Sequence, residues 1–177
     1  EAEPDMWAVA ALSSTLPRQT SYRLTHHLPA PQEERLALGW ALGAYRFTRY
    51  LSSTTPAPAT LVVPKGVDSK RLGATVAAIT LVRDLINLPA NDLGPEELAQ
   101  VGVALARQYG GKATLIRGTK LAQDYPAIHA VGCGSSRPPL LLDLRWGVPK
   151  APKLTLVGKG VVFDTGGYDL KPSAGML

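Results

Sequence analysis

Beyond about residue 60, apolar segments of helix length and of strand length alternate, with Gly or Pro at nearly every junction. Ala59 to Val63 reads as a short strand stopped by Pro64. Asp68 or Ser69 then caps a long apolar helix that runs to about Leu88. Asn87 to Asp92 is turn-rich, and Pro95 with Glu96 and Glu97 opens another helix that Gly110-Gly111 closes. Ala113 to Ile116 is expected as a strand and Lys120 to Tyr125 as a helical turn. Leu140 to Trp146 and Leu154 to Val157 are apolar runs of strand length. Such alternation forces helices onto the faces of a sheet, so the expected fold class is α/β.

The first 60 residues are less regular. Met6 to Leu12 is apolar and predicts a short strand or partial helix, ahead of a Ser/Thr/Arg-rich stretch ending at His26-His27. Residues 33–50 predict a helix with Glu33 and Glu34 in its first turn and a buried stripe of Leu38, Leu42 and Tyr45. Ser52 to Pro58 has the composition of a linker.

Composition narrows the function classes. With 177 residues, 45% of them hydrophobic, the chain can bury a core, as one domain or parts of two. Its single cysteine, Cys133, excludes an internal disulfide framework and a thiolate zinc cluster. Cys133 is expected as a small buried or half-buried residue rather than a nucleophile, since no histidine partner can be argued. No apolar run approaches the ~20 residues of a membrane span. The opening Glu-Ala-Glu-Pro-Asp has neither a basic nor an apolar signal region, so a cytoplasmic location is expected. The net charge of +5 raises the question of nucleic acid. Residues 1–80 carry 8 basic and 6 acidic groups and residues 81–177 carry 11 and 8, with no basic run longer than Lys70-Arg71. That spread describes a solvated surface; DNA binding stays possible but gains no support from clustering.

The most informative stretch is residues 156–175, where two lysines and two aspartates lie among five glycines just past an apolar run. Glycines there let backbone approach a ligand, and charges among them are hard to explain as packing. Stock motifs fail on the letters. Gly158-Lys159 continues into Gly160, not Ser or Thr, so there is no phosphate-binding loop. Gly132-Cys133-Gly134 reaches Arg137, where the dinucleotide fingerprint needs a glycine. No Ser-centred nucleophile elbow and no HExxH occur, and His26-His27 are adjacent. One competitor survives: Asp164-Thr165-Gly166 after Val161-Val162-Phe163 is similar to the aspartic-protease loop, which would require a dimer.

A longer match is better. Residues 156–175 resemble the metal-binding signature of the leucyl (cytosol) aminopeptidase family. Arg83 to Asp92 resembles the segment opening that family's catalytic domain, with Leu88 where Thr is commoner. Leu140 to Trp146 resembles a strand ending in Asp-Leu-Arg-Trp, and Leu38 to Tyr50 the helix closing the N-terminal domain. Tyr168-Asp169 departs from the usual apolar-Ser pair.

The resemblance implies residues 1–66 as the end of a small α/β N-terminal domain with its linker. It implies residues 67–177 as the start of a mixed-sheet α/β catalytic domain, incomplete in this sequence. Lys159 and Asp164 match two ligands of a centre holding two divalent metal ions, Mn or Zn, and Lys171 matches the catalytic lysine. The residue types suit those roles. A carboxylate can bridge two hard cations, and Lys159 can ligate through its unprotonated amine. The Lys171 cation can stabilise an oxyanion as water attacks a peptide carbonyl. Lys159 and Asp164 are five apart and would face opposite ways on a regular strand, so a bend is needed, with Gly160 the natural place. Peptide substrates, a cytoplasmic homo-hexamer and release of leucine-like N-terminal residues are also implied. The family's remaining ligands and its catalytic arginine would fall after Leu177, so the 177-residue piece is expected to belong to a longer enzyme and to be inactive alone. A non-catalytic or DNA-binding relative is the alternative of another class.

Overall fold

Asp5 accepts a hydrogen bond from the Trp7 N–H at 3.2 Å and starts helix α1, Met6–Thr15, in a computed structural model that describes residues 5–26, 28–52 and 56–162. The stretch expected as a strand or partial helix is therefore a full helix. Leu16 takes extended backbone because Pro17 follows it, and that ends α1. Two compact units divide at Asn87 and Leu88.

In the first unit α1 packs along α2, Ala30–Gly43, by glycine. A Cβ on Gly39 would collide with Met6, and one on Gly43 with the backbone of Ala10. The strongly buried side chains of α2 are Leu36, Ala37 and Trp40, whereas Leu38, Leu42 and Tyr45 are only half-buried, so the expected stripe is rotated. The helix also stops at Gly43, well short of residue 50. Its end is set by tertiary partners: Arg83 Nη1 donates to the Leu42 carbonyl at 2.8 Å, and Tyr45 turns away to donate to Asp84 Oδ1 at 2.8 Å.

Strands β1, Ser21–Tyr22, and β2, Thr60–Leu61, pair in parallel with Ser21 opposite Thr60. Of the expected linker, the Pro56 and Ala57 carbonyls accept from Arg18 and Gln19 within this unit. Asp68 caps α3, Ser69–Asn87, by accepting from the N–H groups of Lys70 and Arg71. Ala37, Val67 and Leu72 form the core, with Leu38, Leu61 and Val76 against it. Trp40 closes one side, its Nε1 donating to the Ala59 carbonyl at 3.0 Å and its ring 5.8 Å from that of Tyr22.

The second unit is a helix-covered hairpin. Helix α4, Pro95–Gln108, starts where expected, with the Glu97 carboxylate accepting from the Gly94 N–H at 3.0 Å. Gly110, at φ 72°, ends it, and the Gly111 N–H bonds back to the Ala106 carbonyl at 2.7 Å. Strand β3, Lys112–Arg117, pairs antiparallel with β4, Leu140–Arg145, Lys112 facing Arg145 and Arg117 facing Leu140. Between them lie α5, Gly118–Asp124, whose Leu121 is fully buried, and α6, Pro126–Gly132, a helix the sequence reading did not anticipate. Close approach of α4 to the hairpin sets Gly102 against Leu142.

Leu154 to Val157 is not a strand. Leu154, Leu156 and Val157 are 85%, 86% and 94% exposed, and among the described residues no strand lies beside them to complete a ladder. Among the described residues one parallel and one antiparallel strand pair, each in its own unit with helices, make this a mixed α/β protein. No helix among the described residues is long and apolar enough to cross a membrane.

Candidate metal centre

Of the three residues singled out for chemistry, Lys159 lies among the described residues and Asp164 and Lys171 lie outside them. Lys159 sits in irregular, exposed chain after β4. Its carbonyl accepts from the Val161 N–H at 3.2 Å. A bond from one residue to the second after it is a γ-turn, here centred on Gly160, so the backbone reverses sharply where the spacing of Lys159 and Asp164 asks for a bend. The turn lies against α4: a Cβ on Gly160 would stand 3.1 Å from Leu98 Cδ2.

Among the described residues no three His, Cys, Asp or Glu side chains gather as a metal site. The donor types of the expected set, one amine and one carboxylate, suit a hard or borderline divalent ion in kind.

The charged constellation that the structure does show lies at the start of α4. Arg137 donates through Nη2 to the Glu97 carboxylate and through Nη1 to the Ala90 carbonyl, with the Asn91 carbonyl at 3.5 Å. The N–H groups of Glu97 itself and of Gly94, with the Arg137 guanidinium beside them, hold the Glu97 carboxyl below its ordinary value. Gly94 has no room for a Cβ because the guanidinium lies against it. Glu96 pairs with Arg117 at 3.0 Å, and the two pairs, with Pro138 and Pro139, line an open cavity of about 210 Å³. These charges satisfy one another, so the constellation braces the turn of residues 88–94, α4 and the loop before β4. Sequence reasoning met Glu97 only as a first-turn acid and Arg137 only as the letter that breaks a fingerprint. A brace between segments about 40 residues apart has no local signature.

Cys133 is exposed rather than buried, at the end of α6, with its Sγ donating to the Ala130 carbonyl at 3.4 Å. The expectation of a buried or half-buried residue fails because α6 ends at the surface. His129 lies on α6 and His26 beside Thr25, in different units.

The profile of the cytosol aminopeptidase family, catalytic domain, matches residues 80–177, and that of the M17 aminopeptidase N-terminal domain matches residues 1–64. A probable cytosol aminopeptidase of Corynebacterium efficiens is 50% identical over 104 residues, which is 58% of this chain and 21% of that protein. Peptidase B of Pectobacterium atrosepticum is 47% identical over 117 residues, 62% of this chain and 27% of that one. Among solved structures, a cytosol aminopeptidase from Coxiella burnetii superposes with a TM-score of 0.90 at 42% identity, over 99% of this chain and 38% of that one. The bottromycin maturation enzyme BotP in complex with Mn gives 0.72 at 32% identity, over 96% and 38%. The chain thus spans about a fifth to a third of the curated relatives it matches.

Proposed function

The chain belongs to the cytosol aminopeptidase family, and we propose that the whole protein is a metal-dependent aminopeptidase that releases leucine-like N-terminal residues from peptides. The observation that carries this reading is the run of residues 156–175, with Lys159, Asp164 and Lys171, inside the region that matches the family's catalytic domain. Support for a divalent metal comes from BotP, solved with Mn. Two ions, Mn or Zn, are the complement proposed; they would activate the attacking water and polarise the scissile carbonyl. Asp164 and Lys159, the latter through its unprotonated amine, would hold the ions, and Lys171, kept cationic, would stabilise the oxyanion. The domain division at 66 and 67, a homo-hexamer and a cytoplasmic site of action belong to the same proposal.

The test is hydrolysis of leucyl amides and short leucyl peptides by the whole enzyme. Exhaustive EDTA treatment abolishes it, and Mn or Zn restores it. Activity that survives chelation and yields to pepstatin-type inhibitors would move Asp164 into an aspartic-protease reading.

A further inference from the structure

Lys159 opens a turn that neither the family match nor its own chemistry requires. The γ-turn joining Lys159 to Val161 places Gly160 at its apex, and a Cβ built on that glycine would stand 3.1 Å from Leu98 Cδ2, so the exposed apex lies close beside Leu98. Leu98 is half-buried, one residue after the Glu97 that Arg137 pins at the first turn of α4. Residues 152–162 have no ladder or helix bonds of their own. The direction in which the Lys159 side chain leaves the backbone therefore depends on what the turn leans against.

We infer that Leu98 is a positioning residue for Lys159, backing the Gly160 turn from α4 while Arg137 and Glu97 fix the helical turn that carries it. The inference rests on the aminopeptidase reading for its consequence, and on the Gly160–Leu98 contact alone for its structural part. Leu98 touches neither metal nor substrate in this account; it acts by keeping the amine of Lys159 aimed.

Three variants of the whole enzyme test it, with kcat, KM, Mn affinity by competitive titration, and amide exchange at Val161 as readouts. Leu98→Ala removes the backing, and a misaimed ligand lowers kcat and weakens Mn about tenfold while KM stays within about twofold. Leu98→Met conserves volume and returns both within about threefold of the parent. Gly160→Ala alone presses its Cβ on Leu98 Cδ2 at 3.1 Å. In the Leu98→Ala background that Cβ finds room, so the double variant loses less than the product of the two single losses. Parent-like kcat and Mn affinity in Leu98→Ala overturn the inference. So do losses that simply multiply, or a Leu98→Met as impaired as Leu98→Ala.

If the parent enzyme neither binds Mn nor cleaves leucyl peptides, the aminopeptidase reading has failed and the backbone readout decides alone. Leu98→Ala then speeds exchange at Val161 at least about fivefold while the β3–β4 amides hold theirs. Unchanged Val161 exchange, or a uniform rise across the unit, removes Leu98 as the support of the turn.

Discussion

The guanidinium of Arg83 stands over the ring of Tyr45, 3.8 Å from its centroid. The same arginine donates to the Leu42 carbonyl at 2.8 Å, and the Tyr45 hydroxyl donates to Asp84 at 2.8 Å while accepting from Asn87 at 3.0 Å. One pair thus joins the end of α2 to the last turns of α3. Arg83→Met keeps the stem but loses the carbonyl partner and the cation over the ring, at a cost of about 1–2 kcal/mol in urea unfolding.

The Tyr45 hydroxyl gives the clamp an alkaline limit. Burial first, and then its hydrogen bond to Asp84, raise its pKa above the ordinary 10.0. The folded state prefers the protonated phenol more than the unfolded chain does. Its contribution is therefore complete below pH 10 and fades as pH rises through the folded value. Tyr45→Phe, which cannot ionise, removes that part of the alkaline decline and lowers Tm by a few degrees at neutral pH. Parallel Tm–pH curves for parent and variant between pH 9 and 11 would contradict this.

Glycines in α2 and α3 separate packing from propensity. Gly43 meets the Ala10 backbone and Gly39 meets Met6, so Gly43→Ala forces α1 off α2 and costs about 1–3 kcal/mol or more. Gly73, in α3, has nothing within 4 Å of where its Cβ would be. Gly73→Ala there gains about 0.5–1 kcal/mol from lower unfolded-chain entropy and better helix propensity. Opposite signs in denaturant midpoints are the expected result.

Acid should loosen the start of α4. The N–H groups of Glu97 and Gly94, and then Arg137, lower the Glu97 pKa below the ordinary 4.5. A depressed carboxyl contributes stability above the unfolded value and loses it as pH falls through the folded one. Glu97→Gln keeps an acceptor but cannot ionise, so its unfolding midpoint is lower near pH 6 and its acid limb below about pH 4.5 is flatter. Chemical denaturation from pH 3 to 6 compares the two directly.

What the sequence made legible, and what it hid, follows from the range of the forces involved. The caps at Asp68 and Pro95 and the stop at Gly110-Gly111 are local devices, and the structure places them as read. Strands β3 and β4 emerge within a residue or two of their expected limits. The end of α2 could not be read, because Arg83, 41 residues away from Leu42, decides it. Leu154 to Val157 has the letters of a strand, but a strand exists only beside a partner, and letters do not supply one. At the site, the glycines and charges of residues 156–175 marked a ligand-binding stretch, the family resemblance supplied the proposed metal chemistry, and the spacing of Lys159 and Asp164 asked for a bend at Gly160, where the chain does turn. Leu98 behind that bend, and Arg137 pinning its helix, were invisible to motif and periodicity alike.

The roles proposed for the carboxylate and for the second lysine separate in one pair of variants. Asp164 is assigned to both metal ions, so Asp164→Ala removes a ligand from each. Losing an outer partner of a metal ligand already costs about 10–100-fold in affinity, and losing the ligand itself exceeds that, so metal content falls together with rate. Lys171 is assigned to the substrate oxyanion. Lys171→Ala leaves metal bound and reduces kcat about 100- to 1,000-fold, the range for losing one preorganised oxyanion donor. Lys171→Arg keeps the charge but displaces it, and recovers part of that loss without altering metal content. Elemental analysis of the purified whole enzyme, beside steady-state kinetics, reads both effects. Equal metal stoichiometry in Asp164→Ala and Lys171→Ala would mean that the two residues do not divide the work as assigned.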